Sequence, residues 1–256
     1  MLELRGLTKC YTRFPAVDAV SFVLRPGEVT AYLGPNGSGK TTTMKMLVGL
    51  LEPTHGSILH NGREVRTQLL GFKRRLGYVP EEPYLYPYLS GWEYLLLVGR
   101  LRSIPEALLE EKIDRLLSLF SMHRHRHALS SSYSRGMRQK ILISAALLHD
   151  PEVLIFDEPL SGLDVSAALV FRNLLKLLAG QGKIILYSSH VLEVVERVVT
   201  RAIILHKGHV VADDSVERLR DLTKVPTLEG IFSQLISQDD TEATARQMVE
   251  AMKLKN

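Results

Sequence analysis

A glycine-rich segment of the chain has the residue types and spacing that hold a phosphate group. It consists of consecutive residues Gly34, Pro35, Asn36, Gly37, Ser38, Gly39, Lys40, Thr41 and Thr42. Glycine adopts backbone conformations that are closed to other residues, so successive N–H groups can turn inward around phosphate oxygens. Lys40 can reach the β- and γ-phosphates of a nucleotide, and the Thr41 hydroxyl can ligate Mg²⁺. The segment predicts a phosphate-binding P-loop; a glycine-rich turn that binds nothing is the weaker alternative.

Polar side chains follow two apolar runs further along the chain. Asp157 and Glu158 come after the run at 153–156, and His190 comes after the run at 183–187. In an open α/β sheet, ligands bind outside the carboxyl ends of the strands. We expect Asp157 to hold Mg²⁺, Glu158 to orient water and accept its proton, and His190 to contact the γ-phosphate. A lone histidine is more often structural, so the role of His190 stays open at this point. Lys40, Glu158 and His190 are the candidate catalytic residues.

The pattern of apolar residues predicts the elements that position these groups. Residues 1–25 alternate apolar and polar, as in antiparallel strands, and residues 89–148 carry apolar residues at three-and-four spacing, as in helices. Strand patterns return at 153–156, 183–187 and 202–205. Strands that alternate with helices indicate a parallel sheet. We therefore predict an α/β fold: a P-loop NTPase core with a mainly parallel sheet, an N-terminal antiparallel β lobe and an inserted helical lobe.

The same patterns predict how the chain divides. One ATP-binding type of domain is expected over residues 1–215, with the helical lobe inserted at about 84–150, and a C-terminal helical tail over 216–256, broken at Pro226. The sequence of this tail contains no residue pattern to which we can assign a chemical role.

The composition of the chain limits the cellular compartments in which we expect the protein. No apolar run approaches the ~18 to 20 residues needed to span a bilayer. The N-terminus lacks a signal pattern, and the single cysteine, Cys10, cannot form an internal disulfide. These features favour the cytoplasm. The net charge of +4 is compatible with nucleic acid or an anionic membrane surface but is too small to decide between them.

A second segment offers donors to an anion. Ser134 is a good N-cap for the helix that follows it, so its hydroxyl, backbone N–H groups and the helix dipole could face a phosphate, although a merely capped helix is the alternative. The segment Tyr133-Ser134-Arg135-Gly136-Met137 resembles the signature Leu-Ser-Gly-Gly-Gln of the ATP-binding subunits of ABC transporters. Ser134 and Gly136 match this signature, whereas Tyr133, Arg135 and Met137 depart from it. The order of the motifs extends the resemblance over nearly the whole chain.

The resemblance adds further site residues. Ser161-Gly162-Leu163-Asp164 is similar to the family's D-loop, and Tyr11 stands where an aromatic residue stacks on adenine. Tyr11 taken alone would be an ordinary strand residue. Glu81 follows Tyr-Val-Pro at a position where the family typically has glutamine. An ionised glutamate offers only acceptors, so Glu81 could ligate Mg²⁺ or lie at the nucleotide but could not donate a hydrogen bond to water.

The resemblance also implies a function. It implies ATP and Mg²⁺ as cofactors, and ATP hydrolysis in a homodimer or heterodimer in which Ser134 and Gly136 of one subunit act across the interface. Separate transmembrane permease subunits would be the partners, without nucleic acid, and the chain would lie in the cytoplasm, peripheral at the inner face of the cell membrane. Glu81 and the signature are similar to a subgroup that often serves exporters. The alternatives are a soluble ATPase of the same superfamily acting on DNA or the ribosome, and a non-hydrolysing regulatory module, which Glu158 argues against.

Three further clusters each have a structural interpretation that does not involve the nucleotide. Tyr84, Tyr86 and Tyr88 lie in an aromatic and proline-rich segment that could pack in the core or line a groove for a helix of a membrane partner. The histidines of 123–127 alternate with arginines that would repel a divalent cation, so we expect a solvated helix end. The basic residues at 73–75 form too small a patch for nucleic acid.

Overall fold

A computed structural model of the chain describes residues 1–189 and 192–236 together with Met252. The described residues form two β-sheets and nine α-helices, with short 3₁₀ turns between some of them. None of the helices in these ranges is long and apolar enough to cross a membrane.

The smaller sheet is antiparallel and is built from the N-terminal part of the chain. Its strands, in the order β2-β1-β4-β5, are β1 (Leu2–Cys10), β2 (Pro15–Leu24), β4 (His55–His60) and β5 (Arg63–Glu64). Along β1 the buried side chains are Leu2, Leu4 and Leu7, because alternate residues of a strand point to opposite faces. The predicted antiparallel β lobe is confirmed.

The larger sheet has six strands and is parallel except at one edge. Its strands, in the order β10-β9-β3-β8-β7-β6, are β3 (Val29–Leu33), β6 (Leu76–Val79), β7 (Val153–Asp157), β8 (Ile184–Ser188), β9 (Arg201–His206) and β10 (His209–Ser215). Every residue of β3, β7 and β8 is buried, which explains why these strands consist mainly of apolar residues: both faces of a parallel sheet are covered. The predicted P-loop α/β fold is confirmed.

Strand β10, which pairs antiparallel with β9, was not predicted from the sequence. The chain reverses through Lys207 and Gly208, which both have positive φ, +47° and +84°. Two consecutive residues with positive φ are typical of the tight type I′ turn that joins antiparallel strands. A lysine-glycine pair after an apolar run was the signal for this hairpin.

The helices cover the sheets and carry the connections. They are α1 (Lys40–Leu47), α2 (Leu69–Lys73), α3 (Gly91–Leu101), α4 (Glu106–Leu119), α5 (Arg135–Leu147), α6 (Val165–Gly180), α7 (Leu192–Glu196), α8 (Val216–Thr223) and α9 (Leu228–Ile236). Helix α1 begins at Lys40 and ends at Leu47, and Gly49 takes a positive φ of +67° just past its end. Most of the predicted tail beyond α9 lies outside the described residues.

Helices α3, α4 and α5 occupy the stretch between β6 and β7. Ser90 caps α3 in a reciprocal arrangement with Glu93: each side chain accepts a hydrogen bond from the other residue's backbone N–H. Gly99 of α3 lets α4 approach closely, since a β-carbon there would lie 2.1 Å from Cδ1 of Leu109.

Two apolar layers lie on opposite faces of the six-stranded sheet. Val29, Ala31 and Leu33 of β3 pack on the layer formed with helices α3 to α6, whereas Tyr32 packs on the layer formed with α1 and the antiparallel sheet. This sandwich fixes β3, β7 and β8 side by side, so their carboxyl ends meet at one edge of the sheet.

Candidate nucleotide-binding site

The loop from Gly34 to Gly39 joins the end of β3 to the start of α1. Gly37 and Gly39 have positive φ values of +77° and +105°, a region that favours glycine. At Gly34 the restriction is steric: a β-carbon would lie 2.4 Å from the carbonyl oxygen of Leu205 and 2.4 Å from Oγ of Ser38. The glycines are therefore required for the loop to curl at the N-terminus of α1, where backbone N–H groups are available to an anion.

Lys40 lies inside this loop. Its Nζ donates hydrogen bonds to the carbonyl oxygens of Gly34 at 2.6 Å and Pro35 at 3.2 Å. Burial lowers the pKa of the Lys40 ammonium, while the nearby carboxylates of Glu158, Asp157 and Glu81 act to raise it. These contacts place a cation among three acidic side chains.

Asp157, the last residue of β7, is buried and pairs with Ser188 of β8. Ser188 Oγ donates to Asp157 Oδ1 at 2.5 Å. Burial raises the pKa of the Asp157 carboxyl, and the hydroxyls of Ser188 and Thr41 act to lower it. The second oxygen, Oδ2, is buried and lacks a hydrogen bond of normal geometry.

A buried carboxylate oxygen that lacks a hydrogen bond of normal geometry is costly, and a hard cation would satisfy it. Asp157 Oδ2, the Thr41 hydroxyl and the Glu81 carboxylate are all oxygen donors, the type that Mg²⁺ prefers. The residues present therefore fit a magnesium ion.

Glu158 directly follows β7 in an unusual backbone conformation. Its φ is +49°, in the left-handed region that non-glycine residues rarely adopt. Its backbone N–H donates to both the carbonyl oxygen and Oγ of Ser188, at 3.2 Å each. Ser188 thus holds Asp157 and Glu158 together. This role of Ser188 was not predicted from the sequence; its position at the carboxyl end of the neighbouring strand was the available signal.

The structure brings most of the predicted residues into one cleft of about 340 Å³. The residues that line it are Ala16, Asn36, Gly37, Ser38, Gly39, Lys40, Thr41, Thr42, Glu81, Asp157 and Glu158. Gly34 and Pro35 frame it through their hydrogen bonds to Lys40. Ala16, from β2, was not foreseen. A cation, a rim of N–H groups and three carboxylates in one cleft suit a nucleotide triphosphate with a bound metal.

Tyr11 is among the predicted nucleotide-binding residues that do not line this cleft. Tyr11 lies in the bend after β1 with 61% of its surface exposed, and the Lys9 ammonium is 5.7 Å from the centre of its ring. It is therefore not a strand residue, and its stacking on adenine stays a prediction. His190 falls outside the described residues, so its role also stays a prediction.

The signature segment lies at the start of α5. Ser134 caps the helix: its Oγ accepts a hydrogen bond from the Met137 N–H at 3.2 Å. Gly136 packs on the D-loop, where a β-carbon would lie 2.2 Å from the carbonyl oxygen of Gly162. Among the described residues that line the P-loop cleft, neither Ser134 nor Gly136 appears. The chain's own signature is therefore joined to its D-loop rather than to its P-loop.

A second cleft, which we call the tyrosine groove, lies beside the signature segment. Its lining residues are Glu82, Pro83, Tyr84, Leu85, Pro87, Ser130, Ser131, Arg135 and Arg138. The segment is held in place by Leu85, which is buried, and by Ser130, whose Oγ donates to the carbonyl oxygen of Tyr86 at 2.7 Å.

The tyrosines of this segment are not core residues. The exposed fractions are 73% for Tyr84, 55% for Tyr86 and 86% for Tyr88. The core alternative for these residues is wrong, because the apolar anchor of the segment is Leu85 and the tyrosines on either side of it face solvent.

A larger cleft, of about 740 Å³, lies elsewhere, beside the amino ends of β3 and β9. Its charged side chains are mostly paired with one another: Arg201 contacts Asp213 at 2.6 Å, and Arg220 contacts Glu196. We assign the nucleotide site to the smaller P-loop cleft because the glycine-rich loop, the Lys40 ammonium and the Asp157 carboxylate converge there.

Comparison with known proteins also supports a nucleotide-binding role. The sequence profile of the family described as "ABC transporter" matches residues 17–161. The ABC transporter ATP-binding protein NatA of Bacillus subtilis (strain 168) is 36% identical over 234 residues, which cover 88% of this chain and 95% of NatA. The Nod factor export ATP-binding protein I of Cupriavidus metallidurans is 33% identical over 221 residues, 86% of this chain and 73% of that protein.

Solved structures show the same fold. The structure described as an ATP-binding subunit of an ABC transporter superposes with a TM-score of 0.86 at 33% identity, over 92% of this chain and 99% of the other. The ATP-binding cassette MJ0796, solved as a dimer in a post-hydrolysis state with ADP and Pi, has a TM-score of 0.78 at 24% identity, over 84% of this chain and 99% of the other.

Proposed function

The chain belongs to the ABC transporter family as one of its ATP-binding subunits, and from this premise we propose that its ATPase cycle drives export through separate transmembrane subunits. Membership makes it an ATPase that dimerises and uses ATP and Mg²⁺. The proposal concerns the roles of individual residues, the transmembrane partners and the direction of transport.

The observation that carries the proposed chemistry is the meeting of Lys40, Asp157 and Glu158 in one cleft. The loop N–H groups and Lys40 bind the phosphates, and Thr41, Asp157 and Glu81 are the candidate holders of Mg²⁺. When bound, the metal neutralises charge on the phosphate oxygens. Glu158 orients the attacking water and accepts its proton, and Ser188 keeps this carboxylate beside Asp157.

The signature acts on the nucleotide of a second subunit. Ser134 and Gly136 present the N-terminus of α5, a helix of 13 residues, and both lie outside the P-loop cleft of their own chain as far as the described residues define it. A helix N-terminus attracts phosphate through its free N–H groups and dipole. Two subunits facing each other would place each signature against the γ-phosphate held by the other, so that ATP binding favours the closed dimer.

The tyrosine groove is the surface for the transmembrane partner. Exposed Tyr84 and prolines on a segment that begins at Glu81 offer rigid contact area next to the nucleotide cleft. A short helix of the partner fits such a groove, and movement of the segment with nucleotide state would move that helix. This role places the chain at the inner face of the cell membrane, in the cytoplasm. The name of the Nod factor export relative supports the direction.

The test begins with the native complex. The tagged chain is purified from detergent-solubilised membranes, and its partner is reconstituted with it in vesicles. We expect a multi-spanning protein and ATP-dependent transport toward the side opposite the chain, lost in Lys40→Ala because nucleotide binding fails. Purification with ribosomes or DNA, or transport toward the side of the chain, would contradict the proposal.

A further inference from the structure

Two residues at which the chain departs from the family pattern, Glu81 and Arg135, lie in contact. Nη2 of Arg135 donates a hydrogen bond to the backbone carbonyl oxygen of Glu81 at 3.4 Å. The aliphatic part of Arg135 also lies on the D-loop: a β-carbon on Gly162 would be 3.2 Å from its Cγ. The Arg135 side chain therefore joins the signature segment to two other segments that are remote in sequence.

We propose that Arg135 is a positioning residue: it ties the main chain at Glu81 to the signature helix and the D-loop, and so holds the Glu81 carboxylate at the metal side of the nucleotide cleft. This inference rests on the proposed function and adds a link between the nucleotide cleft and the tyrosine groove, because Glu81 lines the first and Arg135 lines the second.

The segment needs such a tether for electrostatic reasons. Glu81 shares the cleft with Asp157 and Glu158. These three like charges disfavour one another, and Glu81 accordingly acts to raise the pKa of Asp157. Residues 80–87 form neither helix nor strand, so no ladder of backbone hydrogen bonds holds the chain at Glu81 against this repulsion. A hydrogen bond from a guanidinium to its carbonyl oxygen does so.

The location of Arg135 also argues for a role beyond stability. It is the first residue of α5, where a cation opposes the helix dipole. None of the ion pairs found within residues 1–189 and 192–236 involves its guanidinium, so no carboxylate compensates for this unfavourable position. The side chain is instead spread over Glu81 and Gly162. If Arg135 had no positioning role, its replacement would leave Mg²⁺ binding at the nucleotide cleft unchanged.

The experiment measures how strongly Mg²⁺ enhances ATP affinity, by equilibrium binding of a fluorescent ATP analogue with and without Mg²⁺. All variants carry Glu158→Gln so that nucleotide is not consumed. We expect Arg135→Gln to reduce the Mg²⁺ enhancement about five- to tenfold, at the lower end of typical coupling between sites, with ATP affinity in EDTA unchanged. Arg135→Lys, which keeps a donor, should recover part of it.

A double-mutant cycle with Glu81→Gln separates positioning from an independent effect. If Arg135 acts through Glu81, Arg135→Gln should have little further effect once Glu81 is glutamine. Arg115→Gln, at an exposed arginine on α4, is the control and should change nothing. Additive effects, or an unchanged Mg²⁺ enhancement in a folded Arg135→Gln variant, would overturn the inference. Loss of ATP binding in Lys40→Ala tests the proposed function separately, so the two failures are distinguishable.

Discussion

Gly136 of the signature helix lies directly against the carbonyl oxygen of Gly162 in the D-loop. A β-carbon on Gly136 would stand 2.2 Å from that oxygen, closer than real β-carbons approach other atoms. The same two segments are joined by Lys140 and Asp164, whose charged atoms are 2.9 Å apart, and by Gln139, whose Nε2 donates to the Pro159 carbonyl oxygen at 3.1 Å. The signature and the D-loop are therefore one structural unit within the subunit.

This contact makes Gly136 sensitive even to one methyl group. In a Glu158→Gln background with ATP, we expect the closed dimer to be weakened by Gly136→Ala, because the D-loop must shift, and abolished by Gly136→Asp, which adds negative charge facing the γ-phosphate. Overpacking of this kind costs about 1 to 3 kcal/mol. Sizing chromatography with thermal unfolding of each variant is the measurement. Equal dimer formation by all three proteins would mean that Gly136 is outside the dimer interface.

Glu158 is the expected proton acceptor. Glu158→Gln preserves size and the left-handed backbone at this residue but removes the base, so ATP turnover should fall by about 10² or more while MgATP binding persists. Steady-state phosphate release and equilibrium ATP binding measure the two quantities. Glu111→Gln, on the exposed surface of α4, is the matched control. A normal turnover rate in Glu158→Gln would assign the base elsewhere.

Ser188 is expected to set the pH range of metal binding. Its hydroxyl lowers the pKa of Asp157, which burial raises, so Ser188→Ala should raise that pKa further. Because Mg²⁺ needs the ionised carboxylate, Mg²⁺-dependent ATP binding should then be lost at a higher pH than in the unsubstituted protein as the pH falls. Titration of ATP affinity between neutral and acidic pH tests this. Overlapping pH profiles would contradict the role of the hydroxyl.

His149 predicts a pH dependence of stability that is unrelated to the site. Burial, followed by the nearby Arg102, lowers its pKa to about 4. The unfolded state, with a pKa near 6.5, binds this proton first, so the free energy of unfolding should fall as the pH drops from about 6.5 to 4. Since the side chain is only half-buried, we expect about 1 to 2 kcal/mol.

The variant His149→Gln isolates this contribution. It removes the titrating group while offering an amide N–H for the carbonyl oxygen of Leu76, which His149 Nε2 contacts at 3.1 Å. Urea unfolding at pH 7 and at pH 5 should show a smaller loss of stability for His149→Gln than for the unsubstituted chain. The same loss in both proteins would show that other groups carry the acid sensitivity.

The tyrosine groove should matter for the partner and not for the fold. Tyr84 and Tyr86 are exposed, so replacing both by serine should change the free energy of unfolding by no more than about 1 kcal/mol. ATPase activity of the isolated subunit should persist, while complex formation and partner-stimulated activity should fall. Leu101→Ser, at a residue of α3 that is 74% exposed, is the control. Normal assembly of the tyrosine variant would remove the groove from the interface.

Much of the site could be predicted from the sequence because its parts are local. The turn at Gly34 to Gly39 depends on glycine at fixed spacing, and Asp157 and Glu158 simply follow an apolar strand. Such patterns depend on the backbone conformation of only a few consecutive residues. The P-loop, the strand ends and the capped start of α5 at Ser134 were therefore all predictable.

The contacts between these parts were decided by the tertiary structure. No periodicity indicates that Arg135 reaches the carbonyl oxygen of Glu81, that Gly136 rests on Gly162, or that Ser188 joins Asp157 to Glu158. These pairs are distant in sequence, and they meet only because packing on both faces of the parallel sheet fixes which strand ends and helix starts are neighbours. The exposure of Tyr84 was likewise decided by the tertiary structure. The composition of its segment is compatible both with core packing and with an exposed groove. Because the neighbouring Leu85 is the buried residue, Tyr84 faces the groove.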